Sequence, residues 1–141
     1  MSFNIKIVFL SITFLSNLST YARIIDFDKQ LKNSSSQNVI EILNSLVTQE
    51  SKEKLVVVDF WTSPCPGCNE ISSAIKSLEK VVGEKVVFIK VYVKAKYGQR
   101  FISTFKIQSV PRILIFKQGQ KVEDGVISST AKLKNLIYKH L

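Results

Sequence analysis

The chain has 141 residues, of which 45% are hydrophobic, so it can bury one core but not two. Its formal net charge is +9 at pH 7. This charge predicts a solvated, lysine-rich surface or, alternatively, an anionic partner such as a membrane surface or an acidic substrate. Because the basic residues are spread along the chain without an arginine cluster or interleaved aromatic residues, a nucleic-acid-binding function is excluded.

The first 22 residues have the layout of a secretory signal peptide. Lys6 is their only charge, residues 7–15 form an apolar run, and small residues precede a cleavage point after Ala22. The apolar run is shorter than the roughly 20 residues of a membrane span, and an uncleaved leader that acts as an anchor is the alternative. We therefore expect a leader at residues 1–22, a single domain at residues 23–141, and export to a periplasm, a secretory lumen or the extracellular space.

Within the domain, helices are predicted where apolar residues recur every three or four positions, and strands where short apolar runs are continuous. In chain order, the predicted elements are a strand at residues 24–27, a helix carrying apolar residues from 39 to 47, a strand at 55–60, a helix from the cysteines to residue 82, a strand at 86–93, a helix at 97–105, a hairpin of strands at 113–116 and 121–126, and a helix from 129 or 130 to 141. The polar run Asn33–Ser36 is predicted to be a loop.

The two cysteines of the chain, Cys65 and Cys68, stand three positions apart, between an apolar strand and a helical pattern. Two thiols at this spacing can close into a disulfide and reopen, and a strand-to-helix junction is typical of a redox pair. One alternative is a zinc site, which needs four ligands, whereas the chain offers only His140 as a further good candidate. The other is an inert structural disulfide, which would constrain the unfolded chain little because its loop is very short. We expect a redox pair without a metal.

Together with other motifs, this pair resembles the thioredoxin superfamily over residues 24–141. The resemblance rests on Asp-Phe-Trp at 59–61 before the cysteines, on Val-Pro at 110–111 before an apolar strand, and on the Lys-Gln-Gly-Gln turn at 117–120. It implies the thioredoxin fold, an α/β domain in which helices flank both faces of a central mixed sheet, and the predicted order βαβαβαββα matches it. It also implies thiol-disulfide chemistry that needs no cofactor.

The placement of the cysteines suggests a role for each. At the start of a helix, the Cys65 sulfur would face unpaired N–H groups and the positive end of the helix dipole, so Cys65 is the expected nucleophile. Cys68, one turn into the helix, is the expected resolving thiol, which re-forms the Cys65–Cys68 disulfide. The N–H groups of Gly67 and Cys68 are best placed to reach the Cys65 side chain, and Pro66-Gly67, which reverses the Gly-Pro of thioredoxin, frees the first of them as a donor. From this we hypothesise a more stabilised thiolate and a more oxidising couple. The histidine that strong oxidases of the family carry between the cysteines is missing, which favours an intermediate potential.

The resemblance also implies roles for residues away from the cysteines. Asp59 matches a buried aspartate that relays protons to and from Cys68; the alternative is an aspartate at the strand end that faces water. Lys90 aligns with the lysine that accompanies this aspartate, but it could equally be a surface group. Trp61 is implied to pack beside the disulfide.

A second group of implied site residues surrounds the Val-Pro motif. A cis Pro111 would offer the backbone of Val110 to an extended substrate strand. Arg112 stands where thioredoxin has threonine; it would either lean toward the cysteines and attract acidic substrates or point to solvent. Pro64 replaces a tryptophan of thioredoxin, which alters the surface available to substrates.

The sequence therefore predicts an exported, monomeric thiol-disulfide oxidoreductase that acts on protein or peptide disulfides or thiols and is reset by an unidentified redox partner. One alternative is a dedicated reductase tethered to the membrane by its leader, for example one that keeps haem-attachment cysteines reduced. Another is a binding module that holds extended polypeptide around Pro111 without turnover. In a eukaryotic secretory pathway, Asn33 would be a glycan acceptor.

Overall fold

The structure is a computed structural model that describes residues 20–31 and 38–141. Most of the expected leader and the loop that carries Asn33 lie outside the described residues. Among the helices of the described ranges, none is long and apolar enough to cross a membrane.

The predicted order of elements is confirmed, with one short helix added. The elements are β1 (Arg23–Asp26), α1 (Phe27–Gln30), α2 (Val39–Ser51), β2 (Leu55–Trp61), α3 (Pro66–Val82), a 3-10 turn (Gly83–Lys85), β3 (Val86–Tyr92), α4 (Gly98–Phe105), β4 (Arg112–Lys117), β5 (Gln120–Val126) and α5 (Thr130–His140). The added helix is α1. It takes Phe27 out of the predicted strand, because this side chain turns inward and packs edge-on against Phe101, with ring centroids 5.9 Å apart.

The five strands form one mixed sheet in the order β1-β3-β2-β4-β5. The first three strands of this order are parallel, whereas β4 runs antiparallel to β2, and β5 antiparallel to β4. Strand β2 is therefore central, and its residues from Leu55 to Phe60 are all buried. This burial explains the continuous apolar run, since both faces of a central strand are covered by helices.

Alternation along β2 divides the hydrophobic core into two layers. Val56 and Val58 belong to the layer under α2 and α4. Val57 belongs to the opposite layer, under α3 and α5. By the same alternation, Asp59 and Trp61 at the carboxyl end of β2 lie on the α3 face of the sheet. The chain then enters α3 after only four residues, which brings the cysteines next to this end of the strand.

Candidate active site

Cys65 and Cys68 are joined by a disulfide at the start of α3, with their Cα atoms 5.2 Å apart. Cys65 is the N-cap residue in an extended conformation, and Pro66 occupies the first helical position, where a missing N–H costs little. The Cys65 sulfur accepts a hydrogen bond from the Cys68 N–H at 3.1 Å. Cys68 is completely buried, whereas Cys65 is half-buried. Substrate can therefore reach Cys65 more readily than Cys68.

Gly67 matters in the structure because it has no side chain, and not because its N–H is a donor to Cys65. Within the described ranges, the helix N–H that reaches the Cys65 sulfur belongs to Cys68 and not to Gly67. The more oxidising couple therefore stays a prediction. A Cβ atom on Gly67 would lie 3.0 Å from the Cβ of Ser128 and 3.4 Å from the Cδ of Pro111. Glycine thus allows the loop after β5 and the proline loop to approach the redox helix closely, a contact that the sequence did not reveal.

The Val-Pro motif lies beside the disulfide. The Val110–Pro111 peptide bond is cis, and the Val110 carbonyl oxygen lies 4.0 Å from the Cys65 sulfur. Pro111 is buried, and its carbonyl accepts the Ile127 N–H at 3.2 Å, which joins the motif to the loop after β5. The Ser63–Pro64 bond, which directly precedes Cys65 in the chain, is also cis. The structure therefore brings the Val-Pro motif next to Cys65 and Gly67.

Trp61 stands at the end of β2 and packs on Tyr92, the neighbouring residue of β3. Their ring centroids are 4.7 Å apart. Asp28 of α1 accepts the Tyr92 backbone N–H at 2.7 Å and so anchors the end of β3. Tyr92 was not predicted as a site residue. The parallel register of β2 and β3, which the sequence does not reveal, places Tyr92 beside Trp61.

Asp59 is completely buried, not at a strand end facing water. Neither of its carboxylate oxygens has a hydrogen-bond partner among the described residues, and the Lys90 Nζ atom lies 3.9 Å from Oδ2. Burial raises the pKa of Asp59 to about 7, and the Lys90 ammonium opposes this rise. A carboxyl group with this pKa can both bind and release a proton near neutral pH.

Lys90 belongs to the site and not to the open surface. It is the register partner of Asp59, and its side chain is 18% exposed. Its ammonium donates to the Ser72 hydroxyl of α3 at 2.5 Å and lies 4.9 Å from the centroid of the Trp61 ring. Burial lowers the pKa of Lys90, while Asp59 and Asp26 oppose this change. No motif of the sequence marks Ser72.

Two other candidate site residues, Arg112 and His140, contact partners away from the cysteines. The Arg112 Nε atom donates to Asp124 across the β4–β5 hairpin at 2.7 Å, and Asp124 also accepts from Lys121 at 2.6 Å. His140 of α5, the further zinc ligand candidate, lies 2.7 Å from Glu123 and lines a cavity with Leu55 at the opposite end of β2. Within the described ranges, no group of three or more His, Cys, Asp or Glu residues could hold a metal ion.

Comparison with known proteins agrees with this geometry. The family model described as Thioredoxin matches residues 38–139. Thioredoxin of Bacillus subtilis (strain 168) is 27% identical over 104 residues, which cover 73% of this chain and 98% of that protein. Thioredoxin of Coprinus comatus is 29% identical over 104 residues, covering 73% and 96%. The crystal structure of oxidised thioredoxin O1 from Arabidopsis thaliana has a TM-score of 0.67 and 25% identity, with 84% of this chain and 97% of that chain covered.

The family model covers most of the chain, and the pair of cysteines stands at the start of α3 in the oxidised form. On these grounds the chain belongs to the thioredoxin family and is a thiol-disulfide oxidoreductase.

Proposed function

We propose that this protein exchanges disulfides with polypeptide substrates outside the cytoplasm, with Cys65 as the nucleophile and Cys68 as the resolving thiol. The observation that carries the assignment is the position of the Cys65 sulfur at the N-cap of α3, where it accepts the Cys68 N–H. A sulfur in this position is stabilised as thiolate by the hydrogen bond and by the positive end of the helix dipole.

In the reducing direction, the reaction takes two exchange steps. The Cys65 thiolate attacks one sulfur of the substrate disulfide, so that a mixed disulfide forms and the other substrate sulfur leaves as thiolate. Cys68 loses its proton and attacks the Cys65 sulfur, which forms the Cys65–Cys68 bond and releases the second substrate thiolate. Two electrons pass to the substrate, and both released thiolates take up protons. The oxidising direction is the reverse of these steps.

Asp59 is the proposed proton acceptor for Cys68. Its burial and its pKa of about 7 support this role, because a general base is most effective when its pKa is near the working pH. Among the described residues, the carboxylate has no hydrogen bond that it would lose on taking up the proton.

The proposed substrate-binding surface is formed by Trp61, Val110 and Pro111. The Val110 backbone next to the Cys65 sulfur supports the binding of an extended strand by main-chain hydrogen bonds. Pro111 has no N–H that could compete for the sulfur. Arg112 contributes to this binding surface only indirectly, through the hairpin that it stabilises with Asp124.

A redox partner must reset the protein, because each turnover leaves the cysteine pair in the opposite state. The composition of residues 1–22 supports export of this chemistry. A second candidate is a reductase tethered by an uncleaved leader. Ala22 is buried and its N–H donates to the Glu79 carbonyl at 2.8 Å, a contact that cleavage after Ala22 would remove and an uncleaved leader would keep.

The first experiment is the equilibrium reduction potential of the cysteine pair against a glutathione series, with mass tagging of the free thiols. A value near about −270 mV would indicate a reductase, and one between about −180 and −120 mV a disulfide donor or isomerase. Turnover of a disulfide-bonded peptide is measured in parallel, with a Cys65→Ser, Cys68→Ser double variant as control. Biological activity retained by the double variant would contradict the proposal and indicate a binding module.

A further inference from the structure

Ser72 makes the short contact to the cation of the Asp59–Lys90 pair. The Lys90 Nζ atom lies 2.5 Å from the Ser72 hydroxyl oxygen but 3.9 Å from the nearer Asp59 carboxylate oxygen. The Ser72 oxygen is within hydrogen-bonding reach of the ammonium, whereas 3.9 Å to the carboxylate is too long for a hydrogen bond. The ammonium therefore bonds to a neutral hydroxyl on the helix, while the buried carboxylate beside it has no hydrogen-bond partner among the described residues.

Strands β2 and β3 and helix α3 together position these three side chains. Asp59 and Lys90 are register partners on β2 and β3, and α3 covers the face of the sheet on which Asp59 lies. Ser72 follows Cys68 by four residues on α3, so both side chains lie along the same side of the helix. The Trp61 ring lies 4.9 Å from the ammonium and limits its movement further.

We infer that Ser72 is a positioning residue of the redox site, whose hydroxyl holds the Lys90 ammonium against α3 and keeps it from closing onto the Asp59 carboxylate. Without the hydroxyl, the Asp59 carboxylate at 3.9 Å is the anion toward which the ammonium would move. Direct contact would favour the ionised carboxylate and weaken it as a base. The consequence for catalysis rests on the proposed proton-relay role of Asp59, but the positioning itself does not.

The charges around Lys90 come from three other residues. Asp26 of β1, Asp59 of β2 and Lys76 of α3 are the charged groups that influence the ammonium. The first two attract it, and Lys76 repels it. None of the three is altered by a substitution at Ser72, so a Ser72→Ala variant removes one hydrogen-bond acceptor and changes no charge.

The test is a titration of the Asp59 carboxyl group by carbon-13 NMR in the oxidised, full-length protein. We expect Ser72→Ala to move the Asp59 titration to lower pH by about half a unit to one unit, and Ser72→Thr, which keeps the hydroxyl, to restore it. Ser73→Ala is the matched control, because Ser73 is exposed on the next position of the same helix, and it should leave the titration unchanged.

An Asp59 titration that is unchanged or moved to higher pH in Ser72→Ala would overturn the inference, as would an equal shift in Ser73→Ala. No substrate is involved, so this result is independent of the proposed function. The relay is tested separately through the pH dependence of mixed-disulfide resolution by Cys68. If Ser72→Ala shifts the Asp59 titration but not this pH dependence, the inference stands and the relay role fails.

Discussion

Asp59 is a residue at which stability and chemistry conflict. Its carboxyl group is completely buried without a hydrogen-bond partner among the described residues, and burial raises its pKa from 3.8 to about 7. Between about pH 4 and pH 7, the folded protein therefore keeps a proton on Asp59 that the unfolded chain has already released. The contribution of Asp59 to stability is fully present below pH 4 and is lost as the pH rises through 7.

Asp59→Asn should consequently stabilise the oxidised protein at pH 8 by roughly 2–4 kcal/mol, because the variant has no buried charge to maintain. The gain should shrink toward pH 4, where both proteins carry a neutral side chain. Urea unfolding at the two pH values measures this. Asp124→Asn is the contrasting control: burial raises the pKa of Asp124, but hydrogen bonds from Lys121 and Arg112 outweigh this effect and lower it, so this variant should lose stability at pH 8. A gain of equal size at both pH values would refute the charge argument for Asp59.

Residue identities could be predicted from the sequence only where a local motif marks them. The cysteines, Trp61 and Pro111 all belong to short patterns that also fix their place in the fold. Ser72 and Tyr92 carry no such pattern, because their importance depends on the rotation of α3 and on the register between β2 and β3. Arg112 could not be oriented from the sequence, since its partner Asp124 is set by the irregular register of the β4–β5 hairpin.

Among the elements, α4 depends on a single glycine at its first position. A Cβ atom on Gly98 would lie 1.8 Å from the Val93 carbonyl oxygen, and the Gly98 N–H donates to the Ala95 carbonyl at 2.9 Å. The chain between β3 and α4 therefore folds back on itself so tightly that no side chain fits. This turn supports α4, which supplies Phe101 to the core.

We expect Gly98→Ala to destabilise the protein by about 3 kcal/mol, because the overlap is with backbone and cannot be relieved by a side-chain rotation. Chemical denaturation of the oxidised protein measures the loss. Gly125→Ala in β5 is the matched control: its Cβ would meet nothing within 4 Å, so the substitution should change stability by less than about 1 kcal/mol. Similar values for the two variants would mean that the turn can open without disturbing the core.

Elements with a clear apolar period were predicted, and α1 was not. The four residues of α1 are too few to show a helical period, and Phe27 continues the apolar run of β1. Its helical turn follows from tertiary contacts, namely the packing of Phe27 on Phe101 and the bond from the Tyr92 N–H to Asp28. Lys90 was ambiguous for a related reason, because alternation along a strand does not reveal which face a helix covers.

On the scale of the whole molecule, the domain includes the residues just before β1. Ala22 is 3% exposed in the core layer under α3, and its N–H donates to the Glu79 carbonyl. A leader removed after Ala22 would take this contact away, whereas a leader that is retained or removed before Thr20 would keep it.

A chain that begins at Arg23 should therefore be less stable than one that begins at Thr20, by about 1–2 kcal/mol for one buried methyl group and one hydrogen bond. Denaturant unfolding of the two oxidised domains measures the difference. A chain that begins at Tyr21 keeps Ala22 and should match the longer domain. If the chain starting at Arg23 were equally stable, the contact with α3 would contribute nothing to folding.

The packing around Trp61 also gives the molecule a built-in optical probe. Trp61 is the only tryptophan of the chain, and its ring contacts both Tyr92 and the ammonium of Lys90. The emission energy of an indole ring depends on the electric field across it, and a cation at 4.9 Å is a strong local source of such a field. The wavelength of the Trp61 emission maximum therefore reports on the region where the Lys90 ammonium, the buried Asp59 carboxyl group and helix α3 meet.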